Sequence, residues 1–116
     1  MKPRVKLYIS SKEVDGAFGE GKYRLLRAVH KCGSIQKAAD SLDRSYRKAW
    51  GDIKRAQEGL GCELVYKTRG GKSGGSTQLT DYSIKLLDAW ERYRDDARAK
   101  VEQCYNKHLK KILEKN

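Results

Sequence analysis

A mostly helical fold broken by one small β-hairpin is what this chain predicts, and three features predict it. Residues 34–60 read as two helical segments joined by a short turn, SIQKAADSLDR and then SYRKAWGDIKRAQEGL. A stiff apolar run, CELVYKTR, next meets a glycine-rich basic loop, GGKSGGS. From Thr80 to about Leu113 there is no proline or glycine, and the apolar residues keep helical spacing. Helix, turn, basic helix, then a hairpin with a lysine at its tip is the order of a winged helix-turn-helix, here with a long C-terminal dimerisation helix. At 116 residues the chain is about one domain, expected to fill 1–116. A DNA-binding core and wing are expected over about 20–79 and the long helix over about 80–113.

The elements follow from pattern and punctuation. Val5, Leu7 and Ile9 alternate with Lys6 and Tyr8, the period of a half-buried strand. A turn-like stretch, SSKEVDGAFGEG, leads into a first helix with Tyr23, Leu26, Val29 and His30 at helical spacing and Leu25 widening the stripe. Gly33 can close that helix in the left-handed conformation, and Ser34 can cap the next. The second helix, about Ile35–Leu42, places Ile35, Ala38, Ala39 and Leu42 on one face; its two alanines let the following helix cross closely. Ser45 caps the third helix, where Ala49, Ile53, Ala56 and Leu60 form one buried stripe and Gly61 ends it. Leu64 and Tyr66 alternate with Val65 in a strand whose returning partner is Thr77 to Leu79. Thr80 caps the last helix, with Asp81 beside it at the positive end of the dipole.

Charge narrows the function. Lysine and arginine outnumber acidic residues 26 to 15, for a net charge of +11 and a pI near 9.7. Between Arg44 and Lys72 stand eight cations against three carboxylates. Polyanions are the favoured partners, double-stranded DNA first. Cys32, Cys62 and Cys104 are odd in number and widely spaced, with no C-x-x-C, as in a reduced cytoplasmic protein. No window approaches the ~18 apolar residues of a membrane span, so no membrane partner is expected. Cys104 and His108 share a helix face but would meet their copies only across a parallel dimer, so no metal is assigned. Asp95 and Asp96 are adjacent and diverge, no nucleophile and base pair up, and neither enzymatic activity nor a cofactor is expected.

Opposite the stripe of the third helix lie Arg44, Arg47, Gly51, Lys54 and Arg55. Arg47, near the helix start, is placed to reach a base edge, where a bidentate contact with guanine is worth about 1–3 kcal/mol of discrimination. Ser45 and Tyr46 stand at the same end, with Lys48 on the flank. Lys54 and Arg55, a turn or more later, are expected on phosphates, which adds affinity without specificity. Gly51 disfavours the helix by about 1 kcal/mol relative to alanine, which makes sense if the backbone must lie close to a base edge or phosphate; a glycine merely tolerated on an exposed face is the equal alternative. Trp50 is expected in the core. In the loop, Lys72, with Arg69 and Lys67 at its base, forms a cationic wing for the minor groove or flanking phosphates. The spacing of GGKSGGS does not match a nucleotide-binding loop. Along the last helix Leu86, Trp90, Tyr93, Ala97, Val101 and Cys104 recur near every 3.5 residues, a seam expected to pair with a second copy.

The blocks GSIQKAADSL, SYRKAW and TRGGKSGGSTQLT resemble the N-terminal DNA-binding domain of the molybdate-responsive regulator family ModE and, more distantly, the winged helix of LysR-type regulators. The resemblance covers about Tyr23 to Leu87. It implies a homodimer on a palindromic operator, controlling genes for molybdate or tungstate uptake or for enzymes that use the metal. Those regulators carry C-terminal oxyanion-binding domains, whereas this chain stops after its long helix. Sensing by that route is therefore not expected, and constitutive regulation or a separate sensor protein takes its place. The family's wing is richer in glycine; Ser73 and Ser76 stand here and stiffen it slightly. Together these readings give a sequence-specific transcription regulator, with a sequence-indifferent architectural protein and a protein-interaction module as the rivals.

Overall fold

A computed structural model of the chain describes residues 1–68 and 76–114. The chain opens with a pair of two-residue antiparallel strands, β1 (Tyr8–Ile9) and β2 (Phe18–Gly19). Helices α1 (Glu20–Cys32), α2 (Ile35–Ser41) and α3 (Tyr46–Leu60) follow. Strands β3 (Val65–Thr68) and β4 (Ser76–Leu79) pair antiparallel, Val65 opposite Leu79 and Thr68 opposite Ser76. The chain closes with α4 (Asp81–His108) and α5 (Lys110–Leu113).

The starts of α2, α3 and α4 and the ends of α1 and α3 each have a local chemical cause, whereas at the start of α1 Gly19 supplies no side-chain cap. Gly33, at φ 76°, turns the chain after α1, and its N–H donates to the Val29 carbonyl at 2.8 Å. One residue later the Ser34 hydroxyl accepts from the Lys37 N–H at 3.0 Å and opens α2. The Ser45 hydroxyl accepts from the Lys48 N–H at 3.0 Å, and Gly61, at φ 71°, ends α3. Thr80 starts α4 by accepting from the Ser83 N–H at 3.2 Å. Such side-chain caps are worth about 0.5–2 kcal/mol each, which makes the register of α2, α3 and α4 a property of the sequence itself.

One core unites these pieces. Leu25, Leu26 and Val29 of α1 meet Ile35, Ala38 and Ala39 of α2 and Ala49, Ile53 and Ala56 of α3, all buried. Phe18 belongs to the same core and meets Trp90 of α4 edge to face, ring centres 5.3 Å apart. The Trp90 indole N–H donates to Glu20 Oε1 at 3.0 Å, and Arg94 donates to Glu20 Oε2 at 3.1 Å while lying over the Tyr23 ring at 5.2 Å. One carboxylate at the start of α1 thus ties down two successive turns of α4.

Several expectations are corrected. The regular strand at the start is only Tyr8–Ile9, with Val5 and Ile9 exposed, because its partner is just the Phe18–Gly19 pair. The stretch around Phe18 is part strand and part core: Val14, Ala17 and Phe18 are all buried. His30 is exposed rather than in the α1 stripe. Leu64 and Val65 are both buried and Tyr66 faces solvent, since the regular strand begins only at Val65. The last helix breaks at Leu109. Tyr105 donates its hydroxyl to Glu114 at 2.7 Å, a contact that a straight helix would separate by about 13.5 Å. That hydrogen bond, joined by the N-terminal amine and Lys110, holds the Glu114 carboxyl below its ordinary pKa. Nearer the core, Val5, Lys6, Leu7 and Tyr8 line a cleft together with Trp90, Arg94 and Arg98 of α4.

Among the described glycines the tightest approach lies where the segment before β2 meets α3. A Cβ on Gly59 would stand 2.4 Å from Ala17 Cβ and 3.1 Å from Val14 Cβ, and both neighbours are buried. Gly59→Ala is expected to destabilise the chain by about 1–3 kcal/mol, the range for overpacking a filled core. Thermal unfolding followed by circular dichroism checks this; an unchanged or raised Tm would show that the contact gives way freely.

Candidate nucleic-acid interface

The geometry of α3 starts from its apolar stripe. Ala49, Ile53 and Ala56 are buried against α1 and α2, and burial of that side turns the other outward. Arg47, Lys54 and Arg55 are exposed there, and among the described residues none of the three has an ion-pair partner. The turn before the helix is fixed by the Arg44 N–H donating to the Ala39 carbonyl at 2.9 Å and by Asp43 at φ 54°, a left-handed conformation that aspartate tolerates better than most residues. Ser45 acts as the helix cap, with its side chain still exposed.

Three predicted contacts are placed differently from the rest. Arg44 is partly covered: it lies 3.8 Å from Asp52 and donates to the Gly21 carbonyl at 3.4 Å. Lys48 sits 3.4 Å from the same carboxylate, yet its side chain is 68% exposed. An ion pair that open contributes at most about 1 kcal/mol, so Lys48 can exchange it for a phosphate at small loss. Tyr46 points to the other flank, into a groove of about 280 Å³ shared with Gln36, Lys67 and Thr77. Trp50 is half-buried and packs on the core, as expected of it.

The hairpin root is anchored at two points. The Thr77 N–H donates to the Gly33 carbonyl at 2.9 Å, fastening β4 to the α1–α2 turn. The Leu64 carbonyl accepts from the Thr80 N–H at 3.1 Å and from the Ser83 hydroxyl at 2.6 Å, fastening β3 to the start of α4. From α3 itself, the Gln57 side chain accepts from the Leu64 N–H at 2.9 Å. A hairpin held this way keeps a set direction beside α3. Lys72, predicted at its tip, and Arg69, predicted at its base, lie outside the described residues.

The seam read along α4 divides. Trp90 is buried and Leu86 half-buried, both within the protomer's own core. Ala97 and Val101 are half-buried, while Tyr93 and Cys104 are exposed. Leu109, Ile112 and Leu113 are exposed at the far end of the chain. No helix among the described residues is long and apolar enough to cross a membrane.

The family model for bacterial regulatory helix-turn-helix proteins of the lysR family matches residues 21–83, which span α1 to the first turn of α4. The chain belongs to this family. Among curated proteins it is similar to the transcriptional regulator ModE of Haemophilus influenzae, 37% identical over 68 residues, or 59% of this chain and 27% of that one. It is also 37% identical over 75 residues to the molybdenum transport protein ModE of Azotobacter vinelandii, covering 65% and 28%. The molybdenum-pterin-binding protein MopB of Rhodobacter capsulatus is 35% identical over 72 residues, covering 62% and 27%. The chain spans about a quarter of the length of these relatives. Its fold is similar to that of a mutant form of Lactococcus lactis ZitR, with a TM-score of 0.54 over 97% of this chain and 76% of that one. At 16% identity that likeness bears on the fold alone.

Gly51 lies mid-face on α3, and a Cβ there would meet nothing within 4 Å. Internal packing therefore does not require the glycine. Gly51→Ala should raise stability by up to about 1 kcal/mol through helix propensity and at the same time weaken duplex binding. Tm and fluorescence anisotropy with a labelled duplex check the two halves. A higher Tm with unchanged affinity would remove Gly51 from the interface.

Proposed function

We propose that this chain is a ModE-like, sequence-specific DNA-binding transcription regulator that acts in the cytoplasm as a homodimer on a palindromic operator. Supporting the reading above all is the exposed row of Arg47, Lys54 and Arg55 on α3, free of ion pairs among the described residues, within the stretch matched by the lysR family and beside an anchored hairpin. In this reading α3 enters the major groove and the wing grips flanking backbone, with half-sites about one helical turn apart. Arg47, at the leading end of α3, reads a base edge; Ser45, Tyr46, Lys48, Lys54 and Arg55 hold backbone, and Arg69 and Lys72 act from the wing. Ala97, Val101 and the exposed Leu109, Ile112 and Leu113 offer apolar surface to a second copy. Genes for molybdenum uptake or use are the proposed targets, since the similar proteins include molybdenum transport proteins and a molybdenum-pterin-binding protein.

Selection of bound fragments from sheared genomic DNA tests this reading. The native chain should enrich a two-fold symmetric motif. Arg47→Ala should relax the base preference at one position of each half-site, and Lys72→Ala should lower affinity for all fragments alike. Recovery of unrelated fragments by all three proteins would favour an architectural role instead.

A further inference from the structure

A cleft of about 610 Å³ opens between the start of the chain, α1, α3 and α4. It is bordered by Arg44 from the turn before α3 and by Lys48 and Asp52 on the helix, whereas Tyr46 borders the groove beside the hairpin. Lys48 is two residues on from Tyr46, about 200° around the helix, so the cleft lies on the side of α3 away from the wing. Its cations are Lys6, Lys22, Arg44, Lys48, Arg94 and Arg98, against three carboxylates. All three carboxylates are already engaged: Asp15 accepts from the Ser10 hydroxyl, Glu20 from Trp90 and Arg94, and Asp52 faces Arg44 and Lys48. The cleft is thus left with an excess of positive charge.

Lys22 is at the centre of that excess. Its ammonium donates one hydrogen to the Gly16 carbonyl at 3.0 Å, which leaves two of its three donors for another acceptor. Burial lowers its pKa; Asp52 opposes the shift, while Arg55, Lys48 and Arg44 add to it. Of these cations Arg44 and Lys48 line the cleft with Lys22, and Arg55 belongs to the outward row of α3. An acceptor that is anionic, narrow and stationed beside α3 would relieve this crowding, and a DNA phosphodiester has those properties.

We infer that Lys22, with Arg44 and Lys48, forms a seat for a backbone phosphate of duplex DNA on the flank of α3 opposite the wing. The inference rests on the DNA-binding reading above and adds α1 to the elements that touch DNA. The seat carries no sequence information, because every nucleotide offers the same phosphate. Lys22 and the wing then hold backbone on either side of α3 and fix how deeply Arg47 reaches.

Anisotropy titrations over a range of salt test it, with the selected duplex and a scrambled one. Lys22→Gln keeps the stem and a donor for Gly16 but removes the charge. It should weaken both duplexes by the same factor and reduce the magnitude of the log–log salt slope by about 0.9, the loss of one phosphate contact. Lys22→Arg should restore the native slope. Lys107→Gln, on an exposed lysine near the far end of α4, removes the same charge and should leave the slope unchanged. A native slope for Lys22→Gln, or an equal fall for Lys107→Gln, overturns the seat while leaving the DNA-binding reading intact. Absence of duplex binding by the native chain defeats that reading instead, and the seat with it. In NMR titrations the Lys22 side-chain signal should move with duplex. Movement with millimolar inorganic phosphate but not with duplex would make this a small-anion site and contradict the assignment.

Discussion

Everything that α3 can do follows from which of its sides is buried. Ala49, Ile53 and Ala56 are small or β-branched and face α1 and α2, so the three helices close up and the helix cannot rotate without exposing them. The cations on the opposite side are held outward by that burial. Gly59 sharpens the constraint, since Val14 and Ala17 touch the helix there with no room for a side chain. A helix pinned at its last turn by Gly59 and at its first by the Ser45 cap presents Arg47, Gly51, Lys54 and Arg55 in a fixed order.

The remaining elements position that helix relative to two flanks. On one side the hairpin is fastened by Thr77 to Gly33 and by Leu64 to Thr80 and Ser83. On the other, Glu20 binds Trp90 and Arg94, which brings α4 against α1 and makes the wall of the cationic cleft. A nucleic acid lying across α3 meets fixed backbone contacts to either side, and the specificity of a few side chains depends on that fixed depth. On that second flank Asp52 lies 3.8 Å from Arg44 and 3.4 Å from Lys48 and offsets part of their charge.

Much of this is legible from residue order because its causes are local. Gly33, Ser34, Ser45, Gly61 and Thr80 act through their own backbone neighbours, so the starts of α2, α3 and α4 and the ends of α1 and α3 can be read directly. The stripe of α3 is equally plain, since helical periodicity does not depend on what the stripe packs against. The pairing of β1 with β2 is hidden, because two residues in a glycine-containing stretch carry no alternation to detect. Spacing alone marks Trp90 and Leu86 as a seam for a second copy, because it identifies a buried stripe without naming its cover; Phe18 and Glu20 cover Trp90 from far away in sequence. The place of Lys22 gives no signal in the sequence, because only folding brings Arg44 and Lys48 to the same cleft.

Competition between two duplexes is the most direct measurement of the central claim that the outward face of α3 reads DNA sequence. The native chain, at physiological salt, should prefer a selected site over its scrambled counterpart by at least about 10³. Equal affinity for the two, at any salt concentration, would contradict it.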